Sequence, residues 1–403
     1  MRLLMTAQSY RPPLNGEAVF AIRLAEGLAA AGHEVTVAAP SRVTWPERTV
    51  ENGVEVCGLF APSLGPIAPH VHVTPLPRLG AGPIIDEIQP EVVHVQDHYP
   101  LCRAMVTAAR ARGLPVVGSN HFVPGNMIPL MPRIVRLKPE WVERALWYTV
   151  LSMLNRVDLV TTPTETAASI LGHQEIHVPV RAISCGVDLD RFQPEPSVDR
   201  RTLRLRYGFD PERTLFLYVG RVDRDKGLDV LIDALAELRR DDVQVGIAGH
   251  GGELKALQRK VRRLGLDGSV AFGGYVPDAD LPALLNSADV FVMPSEVELQ
   301  SIATLEAMGT GRPVLAADAQ ALPELVHDGS NGYVFRPGDA QDAARCIAEL
   351  ADHPEQWEDM GCASLEIVSA HRFEHTLCQY EAVYRSVLNG KERAVPVASA
   401  CPL

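Results

Sequence analysis

Nothing in the chain pairs cysteines for a metal or a redox switch. Seven cysteines (Cys57, Cys102, Cys185, Cys346, Cys362, Cys378 and Cys401) are scattered over 403 residues without a CxxC. They read as free thiols of a reducing compartment, and no structural zinc is implied. Long apolar runs are missing as well. No stretch of about 18 such residues occurs, and the opening MRLLMTAQSY is too short and too polar for a signal-peptide core, so a cytoplasmic location is expected. Basic charge is scarce: the net charge is −12, with 15 Lys/Arg against 17 Asp/Glu in 1–190 and 23 against 33 in 191–403. An acidic protein of this kind makes a poor nucleic-acid binder. Neither GxGxxG nor GxxxxGK[ST] is present, which disfavours dinucleotide-dependent redox enzymes and P-loop NTPases. No internal repeat or low-complexity tract appears.

What is present is an α/β pattern that runs twice. Arg2–Ala7 reads as a strand, Pro12–Gly16 as a loop, Ala18–Ala31 as a helix stopped at Gly32, and Glu34–Ala39 as the next strand. Further strands are expected at Val92–Val95, Pro115–Ser119 and Leu159–Thr161. The alternation restarts with strand Thr214–Val219, helix Leu228–Arg239, strand Val243–Ala248 and helix Gly252–Leu264. Strands at Ser269–Phe272, Val290–Met293 and Pro313–Ala316 follow. Alternating strands and helices imply parallel, doubly wound sheets. Length suits two domains, here 1–190 and 201–372. The Pro- and charge-rich Phe192–Arg200 is the expected linker, and 390–403 is an aperiodic tail.

Four groups of residues carry chemistry. In SEVELQSIATLEAMGTGR, Glu298 and Glu306 are eight steps apart; on one helix that is roughly 12 Å and two turns. Such spacing suits two ends of an elongated ligand rather than two carboxylates on one bond. The amides of Leu299, Gln300 and Ser301 would open the helix toward a diphosphate. The same pattern also fits an ordinary amphipathic helix with Glu306 on a solvated face. In GRVDRDKG, Arg221 and Lys226 follow a strand and precede a helix, where two cations can neutralise a diphosphate; a surface loop with Arg224 and Asp225 in casual ion pairs is the alternative. Glycine loops follow two strands, Asn15-Gly16 and Gly249-His250-Gly251-Gly252, and permit close approach of amides to phosphate, although each also suits a plain tight turn. His94, His98 and His121 lie at or beyond strand ends. The first two are not in an HExxH setting, so no metal is expected, and His121 occupies a loop where ligand contacts are common.

Together these segments resemble the family-4 retaining glycosyltransferases of the GT-B fold. The resemblance covers nearly the whole chain: the first loop with GLAAAGHEVTVAA, the crossover-like ISCGVDLDRFQP, GRVDRDKGLDVLI and the ExxxxxxxE segment. It implies two Rossmann-like domains facing each other across a cleft, with a C-terminal helix, 373–389, completing the first. It further implies that Arg221 and Lys226 hold the diphosphate of a nucleotide-sugar donor, that Glu298 binds hydroxyls of the transferred sugar, and that Glu306 binds the ribose diol. Leu299, Gln300 and Ser301 would contact phosphate or sugar, with Gly249 a donor-side glycine and Gly16 closing from the other domain. His121 would reach the sugar near its reacting carbon, Tyr275 or Val276 would lie near the base, and Asn15 and His98 are acceptor-side candidates. No cofactor or metal is expected.

The resemblance implies transfer of a hexose-type sugar from an NDP-sugar, UDP before GDP, to a hydroxyl acceptor. A nucleotide-sugar epimerase and a non-catalytic nucleotide-sugar-binding protein are the alternatives. Departures from the family pattern are Asn15 where a glycine is usual, Cys185 where Asn is common, and Leu-Gln-Ser after Glu298 in place of Phe-Gly. SNHFVPGNM and ELQSIATLEAM look more like the branch that glycosylates diacylglycerol, and a natural-product acceptor also fits. Residues 101–150 carry seven Arg/Lys against two Asp/Glu, and the Trp-bearing stretch 133–147 is a candidate peripheral contact with the inner face of a membrane.

Overall fold

A computed structural model describes residues 1–12, 15–63, 65, 72–127 and 139–390. The chain divides into two compact units, 1–124 with 133–184 and 374–403, and 125–132 with 185–373. Residues 391–403 of the expected tail, 390–403, and the loop residues 13 and 14 lie outside the described residues, as do 133–138 of the basic stretch.

The first unit holds β1 (Arg2–Thr6), β2 (Glu34–Pro40), β3 (Glu47–Glu51), β4 (Val54–Leu59), β5 (Val92–Val95), β6 (Val116–Ser119), β7 (Leu159–Thr162) and β8 (Val180–Ala182). They form one sheet in the order β3-β4-β2-β1-β5-β6-β7-β8. All pairings are parallel except β3–β4. That edge hairpin turns on Asn52-Gly53, both with positive φ (49° and 80°), the conformation of a two-residue hairpin turn. The central strands β5, β6 and β7 are buried throughout, as befits a parallel sheet covered on both faces.

The second unit holds β9 (Thr214–Val219), β10 (Val243–Ala248), β11 (Val270–Gly274), β12 (Val290–Met293), β13 (Val314–Ala317) and β14 (Gly332–Phe335). All are parallel, in the order β11-β10-β9-β12-β13-β14. Its core gathers Phe216, Leu217 and Phe291 from the strands with Leu231, Leu305 and Ile347 from the helices.

Two expectations are corrected here. Phe192–Arg200 is not a free linker: Phe192 is fully buried in the core of the second unit. Asn286 also clamps the segment, accepting the Glu195 amide at 2.9 Å and donating to Gln193 O at 3.0 Å. Nor do Glu298 and Glu306 share a helix. The helix is Ile302–Gly309, so Glu298 precedes it and the two-turn separation does not apply.

The C-terminal helix Phe373–Leu388 is tied to the first sheet by buried polar groups. His94 bonds Tyr384 Oη and Ser119 Oγ, both at 2.9 Å, and Thr161 Oγ1 lies 3.1 Å from Tyr380 Oη. His94 is thereby structural. Among the described residues no helix is long and apolar enough to cross a membrane.

Candidate active site

In the second unit β9 is flanked by β10 and β12. The chain steps outward from β9 through β10 to β11, then returns to β9's other side with β12. Open α/β sheets bind ligands at the carboxyl ends of strands where the order reverses in this way. Arg221 and Lys226 follow β9 and Glu298 follows β12, so all three occupy that edge.

Their contacts are direct. Lys226 Nζ donates to Glu298 Oε1 at 2.6 Å and lies 3.3 Å from Asp225 Oδ2. Arg221 pairs with Asp223 and reaches the same Asp225 Oδ2 at 3.3 Å. Asp225 is therefore the hub, with a side chain only 5 % exposed, and not a casual surface partner. Burial alone would depress the Lys226 ammonium, but Glu298 and Asp225 outweigh it and hold its pKa above the ordinary lysine value. It is a fixed cation at neutral pH.

Backbone geometry keeps these side chains in place. Lys226 closes a short turn, Arg224–Lys226, and Gly227 follows it in the left-handed region (φ 62°) as the entry to the helix Leu228–Leu238. A Cβ at Gly227 would stand 2.5 Å from Pro294 O, so only glycine lets the β9 and β12 loops approach so closely. Ser295 Oγ donates to Asp225 O at 3.1 Å, and Tyr218 Oη to Arg221 O at 2.6 Å. Gly249 (φ 140°) would place a Cβ 1.8 Å from Gly220 O, and its amide donates to Gly274 O at 2.6 Å.

The remaining second-unit candidates surround this centre. Ser301 does not present a free hydroxyl at the head of the helix: its Oγ accepts the Thr304 amide and caps it. Gln300 Oε1 accepts the Cys185 amide at 2.6 Å, and Leu299 is buried. Glu306 is buried too, at 5 % exposure, and so is not on a solvated face. Tyr275 is exposed and its ring lies parallel to that of His250, centroids 6.4 Å apart, while Val276 packs on the core.

The other candidates belong to the first unit. Asn15 Oδ1 accepts the Ala18 amide at 2.8 Å, capping the helix Gly16–Ala30 that Gly16 opens. His121 follows β6 with its ring 5.0 Å from that of Phe20; Nε2 has no partner among the described residues. Burial lowers its pKa to about 4, so it is neutral at pH 7. His98 packs between Tyr99 and Phe122, each ring centroid at 4.7 Å. Sequence reasoning missed Asp223, Tyr218 and Ser295, and undervalued Asp225. The alternation of charge in RVDRDKG was the available signal.

Known proteins carry the same arrangement of segments. The "Glycosyltransferase Family 4" signature matches residues 14–191 and "Glycosyl transferases group 1" matches 199–365. Sulfoquinovosyl transferase SQD2 of Arabidopsis thaliana is 27 % identical over 306 residues, 74 % of this chain and 58 % of that protein. Alpha-D-kanosaminyltransferase of Streptomyces kanamyceticus is 30 % identical over 258 residues, 62 % of this chain and 65 % of that protein. The chain thus spans less than two thirds of these relatives' length. Among solved structures, Anabaena HepE in complex with UDP-glucose superposes with a TM-score of 0.77 at 20 % identity, covering 95 % of this chain and 99 % of that one. With both signatures matched in order on two parallel α/β sheets, the chain belongs to the family-4, group-1 glycosyl transferases of the GT-B fold.

Proposed function

We propose that the chain is a retaining glycosyltransferase that moves a hexose-type sugar from a nucleoside-diphosphate sugar, UDP before GDP, to a hydroxyl acceptor. The convergence of Arg221, Lys226 and Glu298 at the reversal point of the second sheet carries this reading. In it, Arg221 and Lys226 bind the diphosphate. Glu298 releases Lys226 to the phosphate as it takes up hydroxyls of the sugar, so each charge exchanges one partner for another. Buried Glu306 serves the ribose diol, and Tyr275 with Val276 borders the base. Leu299, Gln300 and Ser301 shape the sugar end, Gly249 the phosphate end, and His121 with Gly16 acts from the first unit. No resident cofactor or metal is required.

The anomeric carbon–phosphate oxygen bond breaks while the acceptor oxygen bonds the same face of that carbon. The acceptor proton passes to the departing diphosphate, so no side chain acts as general base. The two guanidinium- and ammonium-bearing side chains stabilise the negative leaving group, a preorganised electrostatic contribution. UDP-glucose bound to HepE supports a UDP donor. In this reading the acceptor is a lipid or a small natural product. A peripheral membrane contact through 133–147 is part of the same reading; Trp141 in that stretch is 72 % exposed, and Tyr148, just beyond it, is 76 % exposed.

A melting screen tests the donor. Saturation at a hundredfold above Kd stabilises by about 2.7 kcal/mol, so UDP or its sugars should raise Tm and GDP should not. With acceptor present, nucleoside diphosphate should be released by the wild type and not by Glu298→Ala. Absence of both stabilisation and release across a broad donor panel would overturn the proposal; conversion of the donor sugar without acceptor would mark an epimerase.

A further inference from the structure

The first sheet has its own reversal of strand order, between β1 and β5, and buried polar groups gather at that edge. Asp97, after β5, accepts the amides of Gln8 at 2.5 Å and Tyr99 at 2.9 Å. Glu17, in the first turn of the helix Gly16–Ala30, lies close enough for the two carboxyls to influence each other. Its Oε1 is enclosed and has no partner among the described residues. Thr6 Oγ1, at the end of β1, is fully buried and likewise lacks one. Tyr99 is near both acids, and the His98 ring stacks on it at 4.7 Å. His98 is 8 % exposed, and no residue described hydrogen-bonds its ring. Each enclosed polar atom left without a partner costs about 1–3 kcal/mol. Several of them at one reversal point are the mark of a ligand site.

The chemistry of the ligand follows from the two acids. Burial and the neighbouring Asp97 push the Glu17 carboxyl well above the ordinary range. Burial raises the Asp97 carboxyl too, but the Gln8 and Tyr99 amides donate to its two oxygens and oppose that rise, whereas Glu17 Oε1 has no donor among the described residues. A proton shared by the pair resides on Glu17, which becomes a donor, and Asp97 stays an acceptor. An alcohol complements both at once, accepting from Glu17 and donating to Asp97. A phosphate meets the like charge of Asp97, which a neutral hydroxyl does not.

We propose that Glu17 and Asp97 bind the acceptor by its hydroxyls, and that the part of the acceptor they hold is an uncharged polyol. The proposal rests on the transferase reading. Its test uses the full chain with its donor, measuring nucleoside diphosphate release with glycerol, myo-inositol and methyl α-glucoside and with glycerol 3-phosphate, myo-inositol 1-phosphate and glucose 1-phosphate. A neutral polyol should exceed its phosphorylated counterpart in kcat/KM by at least about tenfold. Glu17→Ala should raise the polyol KM about tenfold and leave the donor KM unchanged. Glu17→Gln, which keeps a donor, should stay within about twofold of wild type. Glu17→Leu should raise Tm while losing polyol use, because it removes an enclosed acid; a purely structural Glu17 would lose stability instead. Preference for the phosphorylated compounds, an unmoved polyol KM in Glu17→Ala, or donor hydrolysis that no neutral polyol accelerates overturns the proposal. Failure of any donor to bind or hydrolyse overturns the transferase reading instead.

Discussion

Replacing Lys226 by methionine keeps the apolar stem and deletes the charge that two acids share. Glu298 and Asp225 lie 2.6 and 3.3 Å from its Nζ, and the three side chains are 13 %, 5 % and 15 % exposed. Removing one member of a buried pair costs about 3–5 kcal/mol, because the other charge stays behind. Arg221 still reaches Asp225, which sets the expected loss near the lower end, at about 3 kcal/mol. For a unit of this size each kcal/mol moves Tm by about 2–4 °C, so its transition should fall by about 6–12 °C. Adding Glu298→Gln removes the stranded charge and should recover about half of that loss, while donor turnover stays absent in both variants. The raised Lys226 pKa fixes the sign with pH. The folded state binds this proton more tightly than the unfolded chain, so the pair's contribution is full below about pH 10 and disappears as pH rises through the folded value. Scanning calorimetry of the two variants and the wild type reads all of this. A Lys226→Met protein melting within a degree of wild type, or a double variant that recovers nothing, would refute the electrostatic reasoning.

Gly249→Ala should cost about 3 kcal/mol or more in urea denaturation, since its Cβ would overlap Gly220 O at a φ of 140°; a loss under about 0.5 kcal/mol would contradict the geometry. Acid should weaken the first unit. Burial lowers His98 and His121 to about 4 and His94 to about 3. Below about pH 6.5 the unfolded chain takes up protons that the folded one refuses, and stability falls toward pH 3. Tyr384→Phe should cost about 1 kcal/mol by removing the His94 Nδ1–Tyr384 Oη hydrogen bond, with Gln96 Nε2 still 3.2 Å from the same nitrogen, measured as a shift in the denaturation midpoint. Sedimentation with phosphatidylglycerol vesicles should capture the protein at low salt and lose it on Trp141→Ala with Tyr148→Ala; binding indifferent to both salt and substitution would exclude this surface.

The periodic parts of the fold were legible because strand and helix patterns in this chain are long and regular. Val290–Met293 and Val243–Ala248 have the bounds that apolar runs suggested. The β3–β4 hairpin was missed although Asn52-Gly53 announced it, since ERTVE lacks the apolar run that marks the other strands. The site was legible in its cations and in Glu298, where charge type and position after a strand coincide. It was not legible in Asp225, whose role depends on burial, nor in the start of the helix, which Ser301 fixes three residues after Glu298 by capping Thr304. Phe192–Arg200 misled because its prolines and charges look like a tether, whereas Phe192 and the Asn286 clamp bind it to the second core. Glu17 gave no signal in sequence, because its meaning comes from Asp97, eighty residues away in the chain and within electrostatic reach in the fold.

A crystal structure of the chain soaked with UDP-glucose tests the donor site most directly. Diphosphate oxygens within hydrogen-bonding distance of Arg221 and Lys226, with Glu298 turned from Lys226 to sugar hydroxyls, is the expected result. Density for the nucleotide away from the β9 and β12 loops, with the Lys226–Glu298 pair unchanged, would contradict it.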